Sequence, residues 1–376
     1  MDHKSKMICI FTDEYDYMIH LAACAVRGIS PAELPDGLSF VGVYRRAVEH
    51  DIAGLTFYSV EKLAVKPDAG LFRRWRDRRG LSTVRDIRQS YAADKLRNAL
   101  DLCGIRFCEM QGTRLKGLYP TPDMRTMSDI DIVVDPSELS RAGGVLRDLG
   151  YETKIEEGGM TITGSIGVDI NAEIHGAFFA SDEDYQSALE KSGLDGDALL
   201  YVYTILHTEK HFRSGGCGVR RILDLYLLNK KYVGFSALPE VIAALENAGA
   251  SALSGTLFRL AEYWFGDGKY DCDFRDTEEY IKRSGLHGSF EHSALNRYSY
   301  SKKGRIRYML RRAFPSLRDL SSAYPSLLRH RALYPAFAVH RLIKRRREAS
   351  AEIRVLRKEK SRDGVKNAVQ RTDKKL

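Results

Sequence analysis

The sequence predicts an α+β fold in which a small mixed sheet sits between two helical regions. Three observations carry that prediction. Over roughly the first 100 residues, and again from about 182 to 300, apolar residues recur at spacings of three and four, the signature of helices with one buried face. Between them the period drops to two, as in "SDIDIVV" and "VDINAEIH". Glycine and proline clusters such as "GISPAELPDG" punctuate the segments where a chain must turn.

Taken in order, "YDYMIHLAACAVRG" and "VGVYRRAVEHDIAGLTFYSVEKLAV" read as helices, followed by a helix over about 82–104 with Ser82 or Thr83 as its cap and Gly104 as its stop. "IRFCEMQ" is strand-like, "GTRLKGLYPTPDMR" is a turn with a short helix and a proline-bearing loop, and "SDIDIVV" is a second strand. "PSELSRAGGVLRDLG" is an amphipathic helix that opens on Pro136 and closes at Gly150. "YETKIEE", "MTITGS" and "GVDINAEIHGAFF" read as antiparallel strands, the first two joined at Gly158 and Gly159. The chain therefore divides into an N-terminal helical region (1–80), an α/β core (81–180), a helical domain (181–300) and a basic, helical or partly disordered tail (301–376).

Composition narrows the function. No apolar run reaches the roughly 18–20 residues that span a bilayer, and the start lacks the pattern of a secretory leader, so a cytoplasmic protein is expected. Six cysteines without a C-x-x-C pair argue against a disulfide framework or a cysteine zinc site. The net charge of +9 is unevenly placed: residues 301–376 hold 23 Lys and Arg against 6 Asp and Glu, a net of +17, which leaves −8 for the other 300 residues. In "RHRALYPAFAVHRLIKRRREASAEIRVLRKEK" the basic residues are interleaved with Leu333, Tyr334, Phe337, Val339, Leu342 and Ile343. That pattern suits peripheral contact with an anionic membrane surface in preference to nucleic acid, the alternative being a solvated tail.

The chemistry gathers in the core. Asp129 and Asp131 point to one face of their strand, about 6–7 Å apart by two strand rises, while Ile130 and Ile132 point to the other. Two such charges need a cation between them. Asp169, Glu173 and His175 share a face of the later strand, so a third carboxylate converges if the two strands are neighbours. Three carboxylates suit Mg²⁺ (or Mn²⁺) and hence phosphoryl or nucleotidyl transfer. Gly112 and Thr113 follow a strand and open a short helix whose N–H groups can hold phosphate, or simply form a turn. His207 and His211, one helical turn apart in "HTEKH", have no third zinc ligand nearby in sequence. With Lys210 they face the site, joined by Arg220 and Arg221 after the glycine turn at 215–218, or they form a polar domain contact. Asp224 is expected to pair with one of those two arginines.

The segment "MQGTRLKGLYPTPDMRTMSDIDIVVD", the later "AEIHGAF" and "ILHTEKHFRSGGCGVRRILDLYLL" together resemble the uncharacterised nucleotidyltransferase family of the polymerase-beta-like superfamily. The likeness spans roughly 40–330 and rests on several motifs in the same order. It implies a polymerase-beta-like core and a metal-dependent transfer of a nucleoside monophosphate from a nucleoside triphosphate such as ATP to the hydroxyl of an unknown acceptor. By the same likeness Asp129, Asp131 and Glu173 are the metal ligands and catalytic carboxylates, with Asp169 in reserve. Gly112 and Thr113 form the triphosphate-facing turn beside Ser128. Arg125 contacts phosphate or is structural, and His175, His207, Lys210, His211, Arg220 and Arg221 are candidate substrate contacts. Glu173 has a second reading, as a partner of Arg125 or Arg114. The chain departs from the family at Gln111, where lysine is usual; Lys116 either compensates or lies on a solvated helix face. A non-catalytic nucleotide- or partner-binding relative and a D-x-D glycosyltransferase are the rivals.

Overall fold

The computed structural model describes residues 11–156, 159–167, 170–180, 182–286 and 335. The tail reading of 301–376, the reserve ligand Asp169 and Gly158 thus lie outside the described residues, apart from Pro335 alone.

The chain opens with α1 (Glu14–Arg27), α2 (Phe40–Glu49), α3 (Ala53–Val60) and α4 (Ala69–Leu102). Side chains of Asp13, Ser39 and Asp68 cap the starts of α1, α2 and α4 by accepting first-turn N–H bonds. The pattern over 41–65, read as continuous from spacing, is two helices: Asp51 adopts φ 54° and breaks the run. Tertiary contacts hold that break. His50 is wholly buried and its Nδ1 accepts the Val219 N–H at 3.1 Å. The helix expected to start at Ser82 begins instead at Ala69, so α4 runs unbroken through positions 80 and 81. Ser82 and Thr83 sit inside it, their hydroxyls donating to the Arg78 and Arg79 carbonyls at 3.0 and 3.1 Å, which satisfies them without a cap. Trp75 Nε1 donates to the Ala53 carbonyl at 3.0 Å and ties α4 to α3.

The core follows as β1 (Phe107–Glu109), α5 (Gly112–Lys116), β2 (Asp129–Val134), α6 (Leu139–Asp148), β3 (Glu152–Ile155), β4 (Thr161–Ile166) and β5 (Ile170–His175). They form a five-stranded mixed sheet in the order β1-β2-β5-β4-β3, antiparallel except between β2 and β5. One face carries Ile130, Ile132, Ala172 and Ile174 and packs with Leu96 and Leu100 of α4 and Ala142 and Leu146 of α6. This apolar face fixes the register, because a one-residue slip would expose every one of those side chains.

The chain continues as α7 (Glu183–Ser192), α8 (Gly196–Ser214), α9 (Val219–Lys231), α10 (Pro239–Asn247), α11 (Ser251–Phe265) and α12 (Arg275–Lys282), of which α8 and α9 face the other side of the sheet. These helices share one apolar core with α1–α3, built around Leu21, Tyr201, Ile205, Ile222, Leu257 and Phe265. No single described helix is long and apolar enough to cross a membrane. The architecture is the expected α+β one, a small mixed sheet flanked by helices.

Candidate functional site

A cavity of about 530 Å³ separates the polar sheet face from α8 and α9. Its floor is set by the β2–β5 register. Parallel pairing places Asp131 beside Glu173 and Val133 beside His175, so alternation brings Asp131, Glu173 and His175 out on the same face. One potential donor atom from each lies within 4.8 Å of the others. His175 Nε2 is 3.5 Å from Asp131 Oδ1 and 3.6 Å from Glu173 Oε2, and its Nδ1 is 3.1 Å from Thr161 Oγ1. Asp129 lines the cavity too but stands apart from that tight group; Ser128 Oγ, also at the wall, donates to Asp129 Oδ1. The tightest group is thus two of the three expected carboxylates with the His175 imidazole, while Asp129 lines the same cavity.

The cluster is electrostatically uneasy. Burial, with Asp129 adding repulsion, pushes the Asp131 carboxyl above its ordinary range, although His175 and Arg125 pull it back. Burial followed by the charges of Asp129 and Asp131 does the same to Glu173. Both groups therefore resist ionising together unless a cation joins them.

The facing wall is cationic. Tyr203, His207, Lys210 and His211 project from α8, and Arg220 and Arg221 from the first turn of α9. His207 is shifted well below its usual range by burial and then by the Arg221 charge, so it is neutral and accepts the Arg221 Nη1 hydrogen bond on Nδ1 at 3.0 Å. Its Nε2 lies 3.0 Å from the Gln111 amide and 3.3 Å from His211 Nε2. Gln111 also donates to Tyr203 Oη at 3.2 Å, and it holds a left-handed φ of 40° that glycine alone adopts freely. No described residue completes a metal-ligating group with His207 and His211.

Several expectations move. Arg125 reaches the cavity, yet its Nε and Nη2 donate to Asp224 Oδ1 and Oδ2 at 2.8 and 2.9 Å in a buried pair, which Tyr119 Oη joins at 2.8 Å. Asp224 therefore serves Arg125 rather than Arg220 or Arg221, and Glu173 pairs with neither Arg125 nor Arg114, which bonds Asp197. Lys116 does not compensate for Gln111: it is buried, with Nζ 2.7 Å from Asp86 of α4, and is absent from the cavity wall. The reading of Lys116 as a solvated residue fails for the same reason. Thr113 also lies off the wall, its hydroxyl donating to the Met110 carbonyl at 3.3 Å. Gly112 is on the wall, where a Cβ would sit 2.9 Å from Met127 Sδ and 3.1 Å from Met127 Cβ, so no larger residue fits without displacement.

Sequence reasoning passed over Tyr203, although Tyr203, His207 and His211 repeat at four-residue steps and mark a single helix face. It also missed Asp51, which accepts from Arg220 Nη1 at 3.0 Å and fixes that arginine at Thr126; no local pattern signals a contact so far apart in the chain.

No curated protein and no solved structure matches the chain. Residues 40–266, more than half of its length, match the family described as uncharacterised nucleotidyltransferase, in which the ordered motifs around Asp129, Asp131 and Glu173 fall. With those residues seen to gather at one cavity, the chain belongs to the uncharacterised nucleotidyltransferase family.

Proposed function

We propose that the protein is a metal-dependent nucleotidyltransferase that moves a nucleoside monophosphate from a nucleoside triphosphate to an acceptor hydroxyl and releases pyrophosphate. The observation that carries the reading is the parallel β2–β5 register, which sets Asp131 beside Glu173 at the floor of a cavity with a cationic far wall. Donor chemistry fits a divalent ion: two carboxylates raised above their ordinary range, and an imidazole within 4.8 Å, form a group that a cation stabilises. The oxygens suit Mg²⁺ and the added nitrogen suits Mn²⁺. When bound, the ion neutralises triphosphate charge and polarises the phosphoryl oxygens.

The chain's own residues do the rest. A carboxylate of the cluster takes the proton of the acceptor hydroxyl as its oxygen bonds to the α-phosphorus, and the bond from that phosphorus to the bridging oxygen breaks. Lys210 and Arg221 supply positive charge on the opposite wall, and Gly112 lets the wall backbone pack against Met127, where a Cβ would clash. Phe178 and Tyr203 give apolar surface for a base or an acceptor. The basic segment 301–376 is proposed, on charge alone, to hold the protein at anionic membrane surfaces.

The test offers the four nucleoside triphosphates with Mg²⁺ or Mn²⁺ and a small-molecule extract as acceptor, and follows pyrophosphate. Pyrophosphate release that stops with a chelator and in Asp131→Asn supports the reading. Release of nucleoside diphosphate from a nucleotide sugar instead would mark a glycosyltransferase, and no turnover of any triphosphate would mark a non-catalytic relative.

A further inference from the structure

The cations around the cavity are not equivalent. Arg125 is neutralised by Asp224 at 2.8 Å and Arg220 by Asp51 at 3.0 Å, while Lys116, off the cavity wall, is neutralised by Asp86. Arg221 differs: among the described residues no carboxylate pairs with it. Its Nη1 contacts are neutral, His207 Nδ1 at 3.0 Å and Gln111 Oε1 at 3.5 Å; its Nε, like that of Arg220, is shielded from solvent and has no hydrogen-bond partner among the described residues. Burial, with Arg220 adding repulsion, lowers it to about 10, far below the usual guanidinium range. A half-buried cation held by neutral acceptors at a cavity wall favours the entry of an anion.

The scaffold holds it in place nonetheless. Gln111 keeps a left-handed backbone, and its amide bridges Tyr203, His207 and Arg221. His207, neutral, can accept from the guanidinium without repelling an incoming anion, as a carboxylate partner would. The arrangement fixes the direction of Arg221 while leaving its charge uncancelled.

We propose that Arg221, oriented by Gln111 and His207, is the receptor for the polyphosphate tail of the substrate, the part that leaves as pyrophosphate. The naming of the ligand rests on the nucleotidyltransferase reading; the demand for an anion rests on the geometry alone. Arg220 and Arg125, already paired, position the wall and do not receive the tail.

The test titrates inorganic tripolyphosphate calorimetrically into metal-free full-length protein at about 0.3 M salt, where weakly held charges are screened. The basic segment contributes equally to every variant, so differences report the cavity. Wild type is expected to bind, Arg221→Gln to bind roughly 10- to 100-fold more weakly, and Arg221→Lys to fall between them because it keeps the charge but not the fork. Asp131→Asn is expected to bind as tightly as wild type or more tightly. Near-ultraviolet circular dichroism checks that each variant is folded; if Arg221→Gln is not, Arg221→Lys carries the comparison. Equal binding by wild type and the folded Arg221 variant, or no binding by wild type at millimolar tripolyphosphate, overturns the proposal. Arg221-dependent binding without nucleotide turnover in wild type would leave the proposal standing and sink the enzymatic reading. Normal turnover with an unchanged KM in Arg221→Gln would do the reverse.

Discussion

Replacing Asp224 by asparagine removes one charge and almost no volume, yet it should be among the most damaging single changes in this chain. Arg125 is only 4% exposed, and two of its nitrogens and the Tyr119 hydroxyl all converge on the Asp224 carboxylate at 2.8–2.9 Å. An asparagine cannot accept on both sides, so a guanidinium N–H faces an amide N–H in a buried site. Removing one member of a buried ion pair costs about 3–5 kcal/mol, because the other charge stays desolvated and unpaired. That is a large share of the roughly 5–15 kcal/mol that holds a domain folded. In urea it should lower the unfolding midpoint by about 1 M or more, for a slope of a few kcal/mol per molar. Replacing all three partners, in Arg125→Met with Asp224→Leu and Tyr119→Phe, should recover at least half of the loss, since an apolar set of similar volume carries no desolvation penalty and leaves no buried hydroxyl without an acceptor. An Asp224→Asn protein within about 1 kcal/mol of wild type would refute the buried-pair argument and return Arg125 to the set of free phosphate-binding candidates.

Asp131→Asn and Glu173→Gln should abolish transfer while leaving the metal-free fold as stable or more so, and the thermal shift that Mn²⁺ gives wild type should vanish in both. The folded values of these carboxyls lie above their unfolded ones, so ionising them weakens the metal-free fold as pH rises through the folded values; metal affinity should follow the opposite course, weakening as pH falls and protons compete. Gly112→Ala should cut turnover at least about 10-fold by pushing Met127, a loss of about 1.4 kcal/mol in barrier terms, and Met127→Ala in the same chain should restore part of it. Full-length protein should bind anionic vesicles in a salt-sensitive way, and a chain truncated after residue 328 should not; binding that survives truncation would count against the tail reading.

The fold was legible where periodicity and tertiary demand agree. The two-residue alternation in 129–134 and 170–175 announced both the buried face and the acidic one, because a strand between a helical layer and a cavity must sort its side chains that way. Helix ends were less legible. Asp51 breaks a run that spacing alone continues, and its role depends on Arg220, 169 residues away. The site followed the same division. Asp131 and Glu173 could be matched from strand phase once β2 and β5 were assumed to be neighbours, whereas the sorting of cations into paired Arg125, Arg220 and Lys116 and unpaired Arg221 depends on partners that no local pattern reveals. Lys116 shows the hazard: close in sequence to Gly112, it is held by Asp86 of α4, a partner 30 residues away that no local spacing reveals.

The position of a radiolabel tests the central claim most directly. Wild-type protein with divalent metal, extract and either α- or γ-labelled triphosphate is expected to place α-label on an acceptor and release γ-label as pyrophosphate, with both events lost in Asp131→Asn. Label reaching the acceptor from the γ position, or α-label transferred equally by Asp131→Asn, would contradict it.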